Sequence, residues 1–206
     1  MATAREVNEN NIEDKLAFNQ HQLIIGTMLG DGCLLQSRNR KKARLQIRHS
    51  IKHSAYVLWK YQILKNLVKT KPRVDFHNNS FYFRTRFKTC LKQICDLFYK
   101  NRTKIVPDNI NSLLVSPIAL TTWLMDDGNG YKNYSGFRIS TYGFNLSENI
   151  KLQKCLDQNF GLRTSICHDS KGHQLLILSE SSQLLNTITK PFQITCMKYK
   201  FFRLTP

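Results

Sequence analysis

The chain has 206 residues, and 41% of them are hydrophobic, which is enough to form a folded core. Its 31 Lys and Arg residues outnumber its 14 Asp and Glu residues, so the formal net charge is +17. Such an excess favours a polyanionic partner, and nucleic acid is the most common one. No apolar run approaches the roughly 18–20 residues that a membrane-spanning helix needs, so we expect no membrane partner.

In chain order, the first half predicts a helix, a hairpin, a second helix, a second hairpin and a third helix. The strands are expected at residues 33–36, 43–48, 73–76 and 81–87. The helices are expected at residues 19–30, from 54 to about 68, and at 91–99. Ser54 is expected to cap the middle helix, because a serine hydroxyl can accept a hydrogen bond from the first turn.

The second half predicts the same order of elements. Ser116 followed by Pro117 indicates a helix start, and that helix is expected to end at Asp127. A strand is expected near Tyr131, a last helix from about Glu180, and further strands at residues 137–142, 163–167 and 174–178.

Between these hairpins, Asn145 with Glu148 predicts a capping box, and Gly161 is placed to end that helix. Each half is therefore predicted as αββαββα, which is an α+β class. The predicted division is an N-terminal half at residues 1–100, a linker at 101–115 and a C-terminal half at 116–206.

Two segments at a half-chain interval, residues 24–32 and 120–128, are apolar runs that end in Asp-Gly. They place Asp31 and Asp127 at the ends of predicted helices. The carbonyl end of a helix dipole disfavours a carboxylate by roughly 0.3–1 kcal/mol, and two such acids brought together also repel each other. A cation bound between the two acids would account for this arrangement.

These repeats resemble the LAGLIDADG motif of homing endonucleases, in the form that has two motifs in one monomeric chain. The resemblance covers nearly the whole chain and is supported by residues 103–107, 116–128 and 196–200. Leu29 and Met125 stand where the eponymous motif has an acid at its sixth position. The metal-binding acid of the family is at the eighth position, which Asp31 and Asp127 occupy.

The resemblance implies two pseudo-symmetric halves that form a β-saddle for DNA and are joined at a packed pair of motif helices. Gly26, Ala119, Thr121 and Thr122 are small residues that would let these helices approach closely. The resemblance also implies site-specific hydrolysis of both strands of a long, asymmetric DNA site. Mg²⁺ or Mn²⁺ is the implied cofactor, and a mobile intron is the implied source of the gene.

The resemblance also assigns the site residues, and Asp31 and Asp127 are the implied metal ligands, since hard carboxylate oxygens suit Mg²⁺. Gly30 and Asp126 complete the candidate metal set. Asp126 is interpreted as structural, with metal contact as the alternative. A cation beside the reacting phosphate would balance the charge of the transition state. The candidate catalytic residues are Asp31, Asp127, Lys104, Lys200 and Gln46.

The strands are expected to present one face to the core and an open face to DNA. Arg can read guanine and Gln can read adenine in the major groove, whereas Lys and Arg in turns suit phosphate contacts. The candidate DNA-binding residues are Arg38, Arg40, Lys41, Lys42, Arg44, Gln46, Arg48, Arg73, Tyr82, Arg84, Arg86, Lys132, Arg138, Ser140, Tyr142, His168, Lys171 and His173.

The sequence leaves other questions open. His49, His53, His168 and His173 lie beside hairpins and are expected to contact phosphate or cap strands, not to act as a general base. The alternative functions are a maturase for intron RNA and a DNA-binding protein that does not cleave. The many Lys, Asn, Ile and Phe residues indicate an AT-rich gene, from a mitochondrion, a chloroplast or a bacterium.

Overall fold

The computed structural model describes residues 15–130 and 136–201. Lys132 and the strand expected near Tyr131 lie outside these residues. The first half contains, in order, α1 (Phe18–Leu29), β1 (Cys33–Gln36), β2 (Ala43–Ser50), α2 (Ser54–Leu64), β3 (Arg73–Asp75), β4 (Ser80–Arg84) and α3 (Thr89–Phe98). The second half contains α5 (Pro117–Asp127), β7 (Gly128–Gly130), β8 (Phe137–Ile139), α6 (Leu146–Phe160), β9 (Thr164–Asp169), β10 (Gly172–Ile177) and α7 (Ser182–Thr189).

Each half contains one four-stranded antiparallel sheet. The strand orders are β1-β2-β4-β3 and β7-β8-β10-β9, so the same topology occurs twice. The predicted α+β class and the repeated αββαββα order are confirmed. No helix in the described ranges combines the length and hydropathy needed to cross a membrane.

Residues 101–115, predicted as a linker, are structured. They contain β6 (Thr103–Lys104), which pairs with β5 (Tyr99–Lys100), and the short helix α4 (Ile110–Leu113). Val106 and Leu114 are buried in the core that both halves share. The segment packs because its apolar residues recur at positions that face this core.

Local signals differ in how well they predicted helix ends. Asn145 and Glu148 form the predicted capping box, and Gly161 ends α6 with φ +66°, as predicted. The expectation that Ser54 caps α2 is wrong. Ser54 is the first helical residue, and a 3₁₀ turn at Ile51–His53 leads directly into α2. The chain is therefore already helical where a capping residue would be extended.

The motif helices α1 and α5 pack against each other at the centre of the molecule. Gly26 and Ala119 meet there, and a Cβ atom on Gly26 would overlap the carbonyl group of Ala119. The predicted close approach of these helices is confirmed, and it depends on the absence of a side chain at residue 26.

Gly26→Ala is therefore expected to destabilise the fold by about 1–3 kcal/mol or more, because the obstacle is backbone that cannot rotate away. Gly143→Ala is a matched control, since a Cβ atom at Gly143 meets nothing within 4 Å. Urea unfolding of both variants tests this, and equal stability of the two would contradict the described helix contact.

Candidate active site

The two Asp-Gly motifs bring their aspartates to the same end of the helix pair. Gly30 ends α1, and its N–H donates to the Gly26 carbonyl at 3.2 Å. Asp127 is the last residue of α5. A Cβ atom on Gly30 would lie 2.8 Å from Oδ2 of Asp126, so this turn also needs glycine. The small residues of the motif thus let the two acidic ends meet.

Both motif acids have perturbed pKa values. Burial and the neighbouring charges of Asp31 and Asp126 raise the pKa of Asp127 to about 7. Burial and the charge of Asp126 also raise the pKa of Asp31, although its side chain is 51% exposed. These raised pKa values mean that the ionised form of each crowded carboxylate is disfavoured. A bound cation would stabilise the ionised forms, so the arrangement favours an added cation.

Asp126 differs from both neighbours because its side chain is fully buried and hydrogen-bonded. Its Oδ1 atom accepts from the Tyr56 hydroxyl at 2.7 Å. Lys60 Nζ donates to both carboxylate oxygens, at 2.9 and 3.0 Å, and the Lys60 and Asp126 side chains are 0% exposed. The Asp31 N–H also donates to Oδ2 at 3.3 Å. Asp126 therefore connects the second motif to α2 and to the first motif.

His49 also lies inside this cluster, and its expected contact with phosphate stays a prediction. Its side chain is 7% exposed, with Nδ1 3.6 Å from Asp31 Oδ2 and Nε2 3.7 Å from Asp126 Oδ1. Burial, then the charge of Lys60, lowers the pKa of His49 to about 4. His49 has the same parity in β2 as the buried Ala43, Leu45 and Ile47, so strand period places it on the inward face, but its acidic neighbours come from other elements.

A metal ion could be held by one ligand atom from each of Asp31, His49 and Asp126, because these atoms lie within 4.8 Å of one another. However, the Lys60 ammonium group already contacts both oxygens of Asp126. Within residues 15–130 and 136–201, the Asp127 carboxylate has no hydrogen bond or ion pair. Asp31 and Asp127 are therefore the carboxylates best placed to accept an added cation.

The two predicted catalytic lysines both point into this region. Lys104 Nζ donates to the Gly30 carbonyl at 2.7 Å, and Lys200 Nζ donates to the Asp126 carbonyl. Burial lowers the pKa of both lysines, and the nearby aspartates oppose this effect. Lys104 thus contacts the main chain of the first motif turn, and Lys200 contacts the main chain of the second.

The first sheet presents a polar network beside these turns. Gln46 lies opposite Arg84 in the β2–β4 register, and Arg84 Nε donates to Gln46 Oε1 at 2.7 Å. Arg48 donates to Asp75 at 2.5 Å, and its guanidinium lies 4.6 Å from the Tyr82 ring centroid. Arg73 Nε donates to the Tyr82 hydroxyl at 2.7 Å. In β2, the predicted alternation of Arg44, Gln46 and Arg48 with buried residues is present.

The expected alternation fails after Arg84, where β4 ends. Arg86 follows this strand and donates to the Asn66 carbonyl at 2.8 Å, while Phe87 is 38% exposed and is not a core residue. The other polar candidates of this half lie in the exposed β1–β2 turn. They are Arg38, Arg40, Lys41 and Lys42.

In the second half, the strand predicted at residues 137–142 stops at Ile139. Arg138 remains in the strand, whereas Ser140 follows it and donates its N–H to the Asp127 carbonyl at 2.9 Å. The Tyr142 hydroxyl donates to Asp169 at 2.9 Å. This bond orients Tyr142 toward the β9–β10 hairpin.

The β9–β10 hairpin carries the remaining candidates. His168 and His173 are cross-strand partners with ring centroids 4.7 Å apart, and Lys171 is exposed in the turn.

Sequence reasoning missed two residues of the site, Tyr56 and Lys60. Lys60 follows Val57 by three residues and precedes Leu64 by four. This spacing places Lys60 on the buried face of α2, and it was the signal in the sequence that could have identified Lys60.

Comparisons with known proteins identify the family. Residues 21–185 match the family model of the LAGLIDADG DNA endonuclease family. The chain is 29% identical, over 208 aligned positions, to DNA endonuclease I-ChuI of Chlamydomonas applanata, covering 90% of this chain and 95% of that protein. It is 27% identical to cytochrome b mRNA maturase bI2 of Debaryomyces hansenii, covering 87% of this chain and 72% of that protein.

The fold is also similar to a solved structure, that of the homing endonuclease I-WcaI bound to its DNA recognition sequence. The TM-score is 0.81 at 23% identity, over 91% of this chain and 87% of the other. This likeness confirms the predicted saddle of two sheets. The paired Asp-Gly helix ends, the repeated sheets and the match over most of its length show that the chain belongs to the LAGLIDADG DNA endonuclease family.

Proposed function

We propose that this protein is a site-specific DNA homing endonuclease that hydrolyses a phosphodiester bond in each strand of a long, asymmetric site. The observation that carries the proposal is the meeting of Asp31 and Asp127 at the ends of two packed motif helices, beside a strongly basic sheet. Residues 37–104 contain nineteen Lys or Arg residues and two acids, so the first half is proposed to supply most of the affinity for DNA.

We propose that the protein works as a monomer whose two halves are joined by residues 101–115. A single chain suffices because each half already supplies one motif acid and one lysine. The strand faces of the two halves carry different side chains, so the DNA site is proposed to lack twofold symmetry.

Asp31 and Asp127 are proposed to hold a divalent cation, Mg²⁺ or Mn²⁺. The donor set fits such an ion, since both groups are carboxylates of raised pKa, and the Asp127 carboxylate accepts no hydrogen bond within the described residues. When bound, the ion activates water and stabilises charge on the phosphate. Gly30 and Asp126, the other two candidate ligands, are already engaged by lysines.

Lys104 and Lys200 are proposed to balance negative charge near the scissile phosphates. Each donates to a main-chain carbonyl of a motif turn, which fixes its ammonium group beside the acids. Gln46 is proposed to orient the DNA or water near the same centre, with Arg84 holding its amide.

Metal dependence tests the proposed function. Supercoiled plasmid carrying the intron-free insertion site is expected to be linearised with Mg²⁺ and left intact with EDTA. Mn²⁺ is expected to substitute for Mg²⁺, because both prefer oxygen ligands. A purified protein that bound this site but did not cleave it with either metal would contradict the nuclease function.

The open strand face is proposed to read bases in the major groove. Arg84→Ala is expected to weaken binding to the cognate site by about 1–3 kcal/mol and to relax preference at one position. Arg163→Ala is the control, since it removes the same charge at a different place. The Arg163 side chain is 70% exposed, and its Nε atom lies 3.8 Å from Glu180 Oε1. Quantitative binding to a library of single-base site variants measures this, and an unchanged preference would place the Arg84 face away from the bases.

A maturase for intron RNA is the second candidate function, and the similarity to a protein named as a maturase supports it. The two functions can coexist in one chain, since RNA could bind a surface that DNA leaves free. The gene is proposed to lie in a mobile intron of a mitochondrial or chloroplast genome. The DNA that flanks the reading frame tests this last proposal.

A further inference from the structure

The two motif aspartates have different surroundings. Asp31 faces the buried imidazole of His49, whose Nδ1 atom lies 3.6 Å from Asp31 Oδ2. The Asp127 carboxylate has no hydrogen bond or ion pair within residues 15–130 and 136–201, and only the main-chain carbonyl of this residue accepts, from the Ser140 N–H. The pseudo-symmetry of the fold therefore does not extend to the side chains that support its two acids.

Lys60 determines which nitrogen of His49 carries the proton. Lys60 Nζ contacts His49 Nε2 at 3.5 Å, and an ammonium group can only donate. Asp126 Oδ1, an acceptor, lies farther from Nε2, at 3.7 Å. The Lys60 contact therefore assigns Nε2 as the acceptor and places the proton of the neutral ring on Nδ1, the atom that faces Asp31.

The same ammonium group is fixed in place by Asp126. It donates to both Asp126 oxygens and lies 4.4 Å from the Tyr56 ring centroid. The His49 ring packs on Tyr56 with centroids 5.0 Å apart. The three contacts of Lys60 leave it no freedom to turn away from His49.

We propose that Lys60 and His49 are positioning residues that orient the Asp31 carboxylate, and that each motif aspartate serves mainly the cleavage of one strand, so that the two strand cleavages depend unequally on Lys60 and His49. Lys60 fixes the His49 tautomer, and the Nδ1–H dipole of His49 then points at Asp31 Oδ2 across 3.6 Å, without a direct hydrogen bond. A group that orients a metal-binding carboxylate typically changes metal affinity or activity by about 10–100-fold when removed. The proposal rests on the proposed nuclease function for its effect on cleavage, and its tautomer part stands independently.

The first experiment measures the tautomer in DNA-free protein with nitrogen-15-labelled histidine. Two-bond proton–nitrogen NMR spectra at neutral pH are expected to show His49 protonated on Nδ1. Lys60→Met/Asp126→Asn removes the donor without leaving a buried charge, and it is expected to move the proton toward Nε2. A wild-type ring protonated on Nε2, or a tautomer that the double variant does not change, would overturn the proposal.

The second experiment compares the cleavage rates of the two DNA strands, labelled separately. His49→Phe keeps a ring against Tyr56 but removes both nitrogens, and it is expected to change the ratio of the two rates by about tenfold. His49→Gln, which keeps a donor and an acceptor, is expected to restore part of the wild-type ratio. His21→Phe, at the other end of α1, is expected to retain that ratio.

The outcomes separate this proposal from the proposed function. Equal slowing of both strands in His49→Phe would overturn the unequal role of His49 while leaving the nuclease function intact. Absence of cleavage by the wild-type protein would contradict the nuclease function and, with it, the effect on cleavage, while the NMR result would still decide the tautomer.

Discussion

Asp31→Asn and Asp127→Asn are each expected to abolish double-strand cleavage while leaving DNA binding nearly unchanged. Asparagine keeps the shape of the side chain but loses the charge that is proposed to hold a divalent cation, and with it the activation of water that such an ion supplies. Most of the affinity for DNA is proposed to come from phosphate contacts by Lys and Arg on the sheets, which neither substitution touches. Cleavage assays with Mg²⁺ and binding assays with Ca²⁺, on the same duplex, separate the two effects. Full activity in either variant would contradict the assignment of that aspartate.

Urea unfolding across a pH range tests whether loss of cleavage in Asp127→Asn is loss of the fold. The pKa of Asp127 is raised from its ordinary value of 3.8 to about 7, so folding takes up a proton between these values. The metal-free wild-type protein therefore loses stability through Asp127 as pH rises from about 4 to about 7. Asp127→Asn lacks this loss, so its stability relative to the wild type is expected to increase across that range.

Sequence reasoning predicted the parts of this molecule that local pattern determines. Apolar runs of helix length that end in Asp-Gly identified the motif helices, and the Asn145 capping box and Gly161 marked both ends of α6. The repeat of Asp-Gly at a half-chain interval indicated that two acids meet. Each of these features depends on residues that are close together in the chain, or on a repeat that is visible in it.

The supporting residues could not be predicted in this way, because they come from distant segments. Asp126 was interpreted as structural, yet its partners Tyr56 and Lys60 are separated from it by 70 and 66 residues. Strand period likewise could not show that β4 ends at Arg84 or that β8 ends at Ile139. Those ends depend on where pairing with neighbouring strands stops, which is a property of the whole sheet.

Lys60→Met is expected to destabilise the protein by about 3–5 kcal/mol, which is the second large effect. The substitution leaves the fully buried Asp126 carboxylate with the Tyr56 hydroxyl and a long contact from the Asp31 N–H, but without a cation. A buried charge without a partner lowers the free energy of unfolding by far more than the ion pair contributed to it, because the same charge is hydrated in the unfolded state. Urea unfolding of the metal-free protein measures the change.

Two comparisons distinguish a buried charge from a lost contact. Lys92→Met breaks the ion pair with Asp96 on the surface of α3, where the Asp96 side chain is 55% exposed, and is expected to cost at most about 1 kcal/mol. Lys60→Met/Asp126→Asn removes both charges and is expected to be more stable than Lys60→Met alone, because no ion remains to be desolvated. If the double variant were instead less stable than the single one, Asp126 would stabilise the fold without Lys60, and the ion pair would not be what joins the second motif to α2.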